Sequence, residues 1–197
     1  GPDVGASGSG GVVVQGVSGA TIADNVFAGP DDRLINGIHF NHGSGAITGN
    51  AFLHAGIFGS ITRDLMIENN DFSDTAVFFW GYSEAEILGN SFTGGDLSAY
   101  AIALFSNAND VRIADNEFTG YSADEPDPLQ GTAILVTSGP EGSTVNLEGN
   151  HFHDNAGAAV TTIGATGSKP HTFTITNNTI ENNRWSIYVL GEASGYN

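Results

Sequence analysis

No cysteine occurs in the 197 residues, so neither a disulfide framework nor a thiolate metal site can hold this chain together. Basic residues are nearly absent. Four arginines (Arg33, Arg63, Arg112 and Arg184) and one lysine (Lys169) stand against 22 Asp plus Glu, for a formal net charge of -17. Such a surface repels phosphate backbones and excludes nucleic acid as a partner. No apolar run approaches the eighteen or so residues that a spanning helix needs, and no signal peptide is visible. The opening Gly1-Pro2 reads as the scar of a cleaved tag, and residues 1–11 as a Gly- and Ser-rich lead-in. The chain is therefore expected to be a piece of a longer protein, secreted or displayed at the cell surface, with its export signal elsewhere. Residues 12–197 are long enough for one well-buried domain.

What is present is a repeat. Ile67-Glu68-Asn69-Asn70-Asp71-Phe72 has six further copies: 22–27, 47–52, 87–92, 113–118, 147–152 and 175–180. Each reads apolar, any residue, then Gly, Asn or Asp, then Asn, any residue, and Phe or Ile. The invariant Asn falls at Asn25, Asn50, Asn70, Asn90, Asn116, Asn150 and Asn178, at steps of 20 to 34 residues. A period of this size indicates a solenoid. The residue before each Asn is Asp24, Gly49, Asn69, Gly89, Asp115, Gly149 or Asn177. Gly, Asn and Asp adopt a left-handed backbone most cheaply, so a sharp corner is expected there. Around that corner Ile67 and Phe72 point inward while Glu68 and Asp71 point out. Coils stacked about 4.8 Å apart would set the seven amides in a hydrogen-bonded ladder.

Each coil also carries a second apolar strand, in which a small residue precedes a β-branched one. Gly37-Ile38-His39-Phe40, Gly56-Ile57-Phe58 and Ala76-Val77-Phe78-Phe79-Trp80 are examples, followed by 101–105, 133–136, 159–163 and 186–190. A Gly-Ile-x-x strand followed by Ile-x-Gly-Asn-x-Phe resembles the repeat of right-handed parallel β-helix proteins, the pectin-lyase-like solenoids, over roughly residues 12–190. The fold this implies is all-β, a single-stranded parallel β-helix of about seven coils. The group includes polysaccharide lyases, pectin hydrolases, alginate C5-epimerases, phage tailspikes and noncatalytic surface proteins, so the resemblance speaks to fold and not to activity.

None of the catalytic sets of those families matches. Asn41-His42-Gly43 lacks the first Gly of the hydrolase Gly-His-Gly and its aspartates. The arginines are scattered, without the acidic calcium cluster of the lyases. Asp127-Pro128-Leu129 has Leu where the epimerase segment has His. His42, His54, His151 and His171 show no convergence with carboxylates at metal-ligand spacing, and zinc is not expected.

Two surface features remain. The loops after the Asn motif must emerge side by side, and the longest, 119–132, brings Tyr121, Asp124 and Asp127 beside Asp96 and Tyr100 on one coil and His153 and Asp154 on another. This ridge is a candidate saccharide site. Its acidic loops leave room for calcium, although no motif requires a cofactor. Tyr121, His153 and Asp127 are its catalytic candidates, as a proton donor and acceptor set. The second feature is the outward row of the second strand, His39, Phe58, Phe78, Ala103, Leu135, Thr161 and Tyr188, with Trp80 beside it. An exposed apolar strip marks a contact with another chain or a sugar-stacking platform, and Phe58, Phe78, Trp80 and Tyr188 are its anchors. Three functions follow. The favoured one is a noncatalytic module, a rigid spacer or adhesive surface binding a polysaccharide or cell-surface glycan. The second is a polysaccharide lyase, epimerase or hydrolase acting at the ridge. The third is a self-associating scaffold, joined end to end or laterally, or through flanking domains of the parent.

Overall fold

The structure, a computed structural model, describes residues 11–105, 108–122, 129–137, 141–164 and 169–191, the side chains of residues 108 and 109 aside. The chain winds as a solenoid with three parallel ribbons of strand per coil. The first ribbon runs Val12–Gln15, Ile35–Asn41, the starts of Ala55–Glu68 and Val77–Leu88, Tyr100–Phe105, Thr132–Thr137, Ala158–Gly164 and Trp185–Gly191. The second runs Ala20–Ala23, Gly45–Thr48, the ends of those two long strands, Ala108–Ala114, Thr144–Glu148 and Thr172–Thr176. The third is a stack of three-residue strands, Val26–Ala28, Ala51–Leu53, Asp71–Ser73, Ser91–Thr93, Glu117–Thr119, His151–His153 and Thr179–Glu181. The repeat motif thus bridges the second and third ribbons, and the other strand expected from sequence is the first.

The corner follows from the residue types. Asp24, Gly49, Asn69, Gly89, Asp115, Gly149 and Asn177 all have φ between 54° and 65°. That bend turns each following Asn inward, Asn50, Asn70, Asn90, Asn116 and Asn150 being buried, and each side-chain amide donates to the Oδ1 of the next Asn at 2.9–3.1 Å, from Asn25 through Asn178. The same Oδ1 also accepts the preceding backbone N–H at 2.9–3.0 Å. Each ladder oxygen from Asn50 to Asn178 therefore takes two donors, which satisfies groups that a tight corner would otherwise leave bare in the interior.

Behind the ladder the third ribbon stacks its phenylalanines. Phe27, Phe52, Phe72, Phe92, Phe118 and Phe152 lie ring on ring at 4.5–5.0 Å and within 9° of parallel. The facing ribbons complete the core with Ile38, Ile57, Val77, Ile102, Ile134 and Val160 from the first, and Ile47, Ile67, Ile87, Ile113 and Leu147 from the second. The small residues opening the first ribbon have a steric cause. A Cβ on Gly56 would lie 2.4 Å from the carbonyl oxygen of Ala76 in the next coil.

A second corner, after the third ribbon, uses the same grammar. Asp154 (φ 55°) precedes Asn155, and Asn182 (φ 54°) precedes Asn183. The Asn155 side-chain amide donates to Asn183 Oδ1 at 2.7 Å, and Tyr121 N–H donates to Asn155 Oδ1 at 3.1 Å. In the last coil the inward positions are open: Ile175, Ile187 and Val189 are exposed.

Candidate functional site

Of the loop ridge expected from sequence, Tyr121 does not lie at the surface. Tyr121 is fully buried, its hydroxyl donating to Thr75 O at 3.2 Å, and burial pushes the phenol far above its ordinary range. It is a core residue that can neither meet a sugar nor exchange a proton with one. It turns inward because its backbone N–H is fixed by the second Asn corner. Asp124 and Asp127 lie outside the described residues. Asp96 is exposed, on a loop whose Leu97 and Ser98 N–H groups both donate to Asp74 Oδ1 at 2.9 Å; Tyr100 is half-buried at the start of its strand. His153 and Asp154 do come together, with other partners described below.

The outward row of the first ribbon is also narrower than expected. Its inward and outward phase is as the alternation requires, but Ala103, Leu135 and Thr161 are buried, and Thr161 Oγ1 lies 3.1 Å from the Thr132 hydroxyl. Tyr188 is half-buried beside Trp185 at 5.1 Å. What remains accessible is a compact aromatic patch over three coils. Phe58 and Phe78 occupy one register row, with Trp80 and Phe105 in the next. Phe78 and Phe105 stack at 6.3 Å, Trp80 tilts against Phe105 at 5.8 Å, and His39 meets Phe58 edge-on at 5.0 Å. Trp80 is 54% exposed. Asn41 and Ser60 continue its row in the preceding coils. Beyond Trp80 on its strand the Tyr82 hydroxyl donates to Glu84, which holds the phenol proton more firmly than usual, and the Arg63 guanidinium lies 6.0 Å from the Tyr82 ring.

On the second ribbon a shallow groove of about 430 Å³ runs across coils between Asp64, Met66, Glu84, Glu86, Arg112 and Asn146. Arg112, its one cation, is held by Glu148 at 3.1 Å.

The third ribbon carries a polar constellation. The in-register strands Glu117–Thr119, His151–His153 and Thr179–Glu181 place Glu117 beside His151, and His153 between Thr119 and Glu181. All five side chains share the outer face, because Phe118, Phe152 and Ile180 occupy the inner one. His153 Nδ1 lies 2.8 Å from Asp154 Oδ2 and 3.3 Å from Thr119 Oγ1, while its Nε2 lies 3.2 Å from Glu117 Oε1. His151 Nε2 lies 2.9 Å from Glu181 Oε1, and the two imidazoles are 4.4 Å apart. The bond to Asp154, reinforced by Glu117, raises the His153 pKa against the opposing effect of burial, and the same bond lowers that of Asp154. The expectation that the histidines stay clear of carboxylates therefore fails at His151, and also at His54, whose ring nitrogens lie 3.6 Å from Asp31 Oδ1 and 3.8 Å from Asp74 Oδ2. Strand alternation and stacking bring His151 to His153 and to Glu117, which precedes it by 34 positions in sequence.

Comparison with curated proteins and with solved structures gives no match. A family model described as "Right handed beta helix region" matches residues 10–197, and the chain belongs to that family.

Proposed function

We propose that this solenoid is a noncatalytic module of an extracellular or cell-surface protein, and that it binds an uncharged saccharide on the aromatic patch of its first ribbon. The observation that carries this reading is Trp80, more than half exposed on a strand hydrogen-bonded on both sides and set against the Phe105 ring, which itself stacks on Phe78. Aromatic rings on a stiff sheet offer flat apolar faces with little conformational entropy left to lose, which suits the C–H faces of a pyranose. Polar groups that can meet the hydroxyls flank them: Asn41 and Ser60 in the same row, and Arg63, Tyr82 and Glu84 at its edge. The net charge of -17 disfavours polyanionic glycans. The burial of Tyr121 removes one proton carrier that a reaction at the ridge would have used, which favours binding over turnover.

The test is a broad glycan array, with and without calcium, comparing the intact chain with Trp80→Ala, Phe105→Ala and Asp96→Ala. Binding to neutral glycans that is lost in the two aromatic variants and kept in Asp96→Ala supports the patch. Binding that needs calcium and disappears only in Asp96→Ala would move the ligand to the acidic loops and overturn this reading, as would no binding under either condition.

A further inference from the structure

We propose that Glu117, His151 and His153 form a binding site for a single divalent transition metal ion of the zinc class on the third ribbon, with Asp154 as its orienting residue. One ligand atom from each of the three side chains lies within 4.8 Å of the others. A tetrahedral ion with bonds of about 2.0–2.2 Å needs donor atoms about 3.3–3.5 Å apart. His153 Nε2 and Glu117 Oε1 are already 3.2 Å apart, so that edge needs almost no adjustment. The His151 ligand nitrogen lies within 4.8 Å of the other two and must come closer to reach that spacing, which its half-exposed position on the surface allows.

Three features separate this group from a chance meeting of surface side chains. First, its backbone is rigid: Glu117 and His151 sit on directly paired positions of neighbouring strands, with His153 two residues along, pinned from within by the Phe118 and Phe152 stack at 4.8 Å. Two histidines at positions i and i+2 of one strand project from the same face. Second, the imidazole that matters most is oriented. Asp154, bonded to His153 Nδ1 at 2.8 Å, directs Nε2 toward Glu117, where a bound ion would take the place of the Nε2 proton; this is the carboxylate–histidine arrangement that fixes tautomer and ring plane in metal sites. Third, the donor set is selective. Two imidazole nitrogens and one carboxylate suit zinc and its neighbours, whereas calcium prefers six or more oxygens. Glu181, 2.9 Å from His151 Nε2, holds that ring from the following coil. The ion would be bound by three protein ligands, leaving a coordination position open to water, and it would join two successive coils without touching the aromatic patch of the first ribbon.

The experiment is isothermal titration of the full chain with Zn²⁺, alongside Co²⁺ titration followed by its d–d absorption. One saturable site per chain is expected, with the visible bands of a four- or five-coordinate nitrogen and oxygen environment. His151→Ala, His153→Ala and Glu117→Gln should each abolish the bands. Asp154→Asn, which keeps the left-handed corner, should weaken binding by about tenfold or more while leaving the site formed. His42→Ala and His171→Ala should bind as the parent does. Circular dichroism of each variant verifies that the solenoid is intact. Absence of saturable binding, retention of the bands in His153→Ala, or displacement of Co²⁺ by an equal concentration of Ca²⁺ would each overturn the assignment.

Discussion

Replacing Asn90 by Ala tests whether the ladder holds the corner or merely decorates it. Asn90 Oδ1 accepts from the backbone N–H of Asn70 at 2.9 Å and from the Asn70 amide at 3.0 Å. Its Nδ2 donates to Ile67 O at 2.9 Å, Leu88 O at 3.1 Å and Asn116 Oδ1 at 3.0 Å. Some of these partners have a second bond. The Asn70 amide keeps Ile47 O and Glu68 O, and Asn116 Oδ1 keeps the backbone N–H of residue 90. The Asn70 backbone N–H loses its side-chain partner where water does not reach, while Ile67 O stays within its strand pairing with Val77–Leu88. At about 1–3 kcal/mol for a buried group left unsatisfied, Asn90→Ala should cost about 1–3 kcal/mol. Asn25 supplies the control. It begins the ladder, is exposed, and donates to Ala23 O and Asn50 Oδ1, so Asn25→Ala should cost less than about 1 kcal/mol. Denaturant unfolding measures both values, and the slope of the transition shows whether the solenoid still melts as one unit. Hydrogen exchange adds a local reading, because the Asn70 amide should lose protection in Asn90→Ala beyond the global change. Equal costs for the two substitutions, or an Asn70 amide protected as before, would refute the reasoning.

Three further outcomes follow from the same packing. Phe92→Ala, in the middle of the ring stack, should cost about 3–5 kcal/mol in denaturant unfolding, and Phe27→Ala, half-buried in the first coil, clearly less. Gly56→Ala drives a methyl against Ala76 O and should destabilise by about 1–3 kcal/mol; an unchanged midpoint would show that the coils separate easily. His171 accepts the Ser143 backbone N–H at Nδ1 (3.1 Å), and burial depresses its pKa below the ordinary 6.5. The unfolded chain then binds the extra proton first, so the His171 contribution is intact above 6.5 and is lost as pH falls through its depressed value. The stability difference between the parent and His171→Gln should therefore shrink on acidification, and a difference independent of pH would count against it.

Most of the fold was legible in the sequence because one residue type recurs for one reason. A left-handed corner followed by a buried amide needs Gly, Asn or Asp and then Asn, and the seven copies state that need openly. The second corner was equally legible at Asp154-Asn155 and Asn182-Asn183, which repeat the grammar of Asp24-Asn25 and Asn69-Asn70 at the same 28-residue step that separates Asn150 from Asn178. It was missed because only two pairs occur and no apolar run frames them. Tyr121 was misplaced for a different reason. Its position in a long loop says nothing of direction, and its inward turn depends on Asn155, one coil later.

The metal-ligand cluster shows how far register alone can go in a solenoid. Linear spacing separates Glu117 from His151 and hides their meeting. Aligning the coils on their ladder asparagines removes that separation. The residue after each Asn then forms one outer row, Val26, Ala51, Asp71, Ser91, Glu117, His151 and Thr179, and the residue two further on forms the next, Ala28, Leu53, Ser73, Thr93, Thr119, His153 and Glu181. Only where Glu117, His151, His153 and Glu181 fall do these rows hold both nitrogen and oxygen ligands, three coils wide and two rows deep. Because a stack of strands about 4.8 Å apart brings such side chains within reach of one ion whatever the loop lengths between them, the ladder that closes the core also determines which distant residues can act together on the surface.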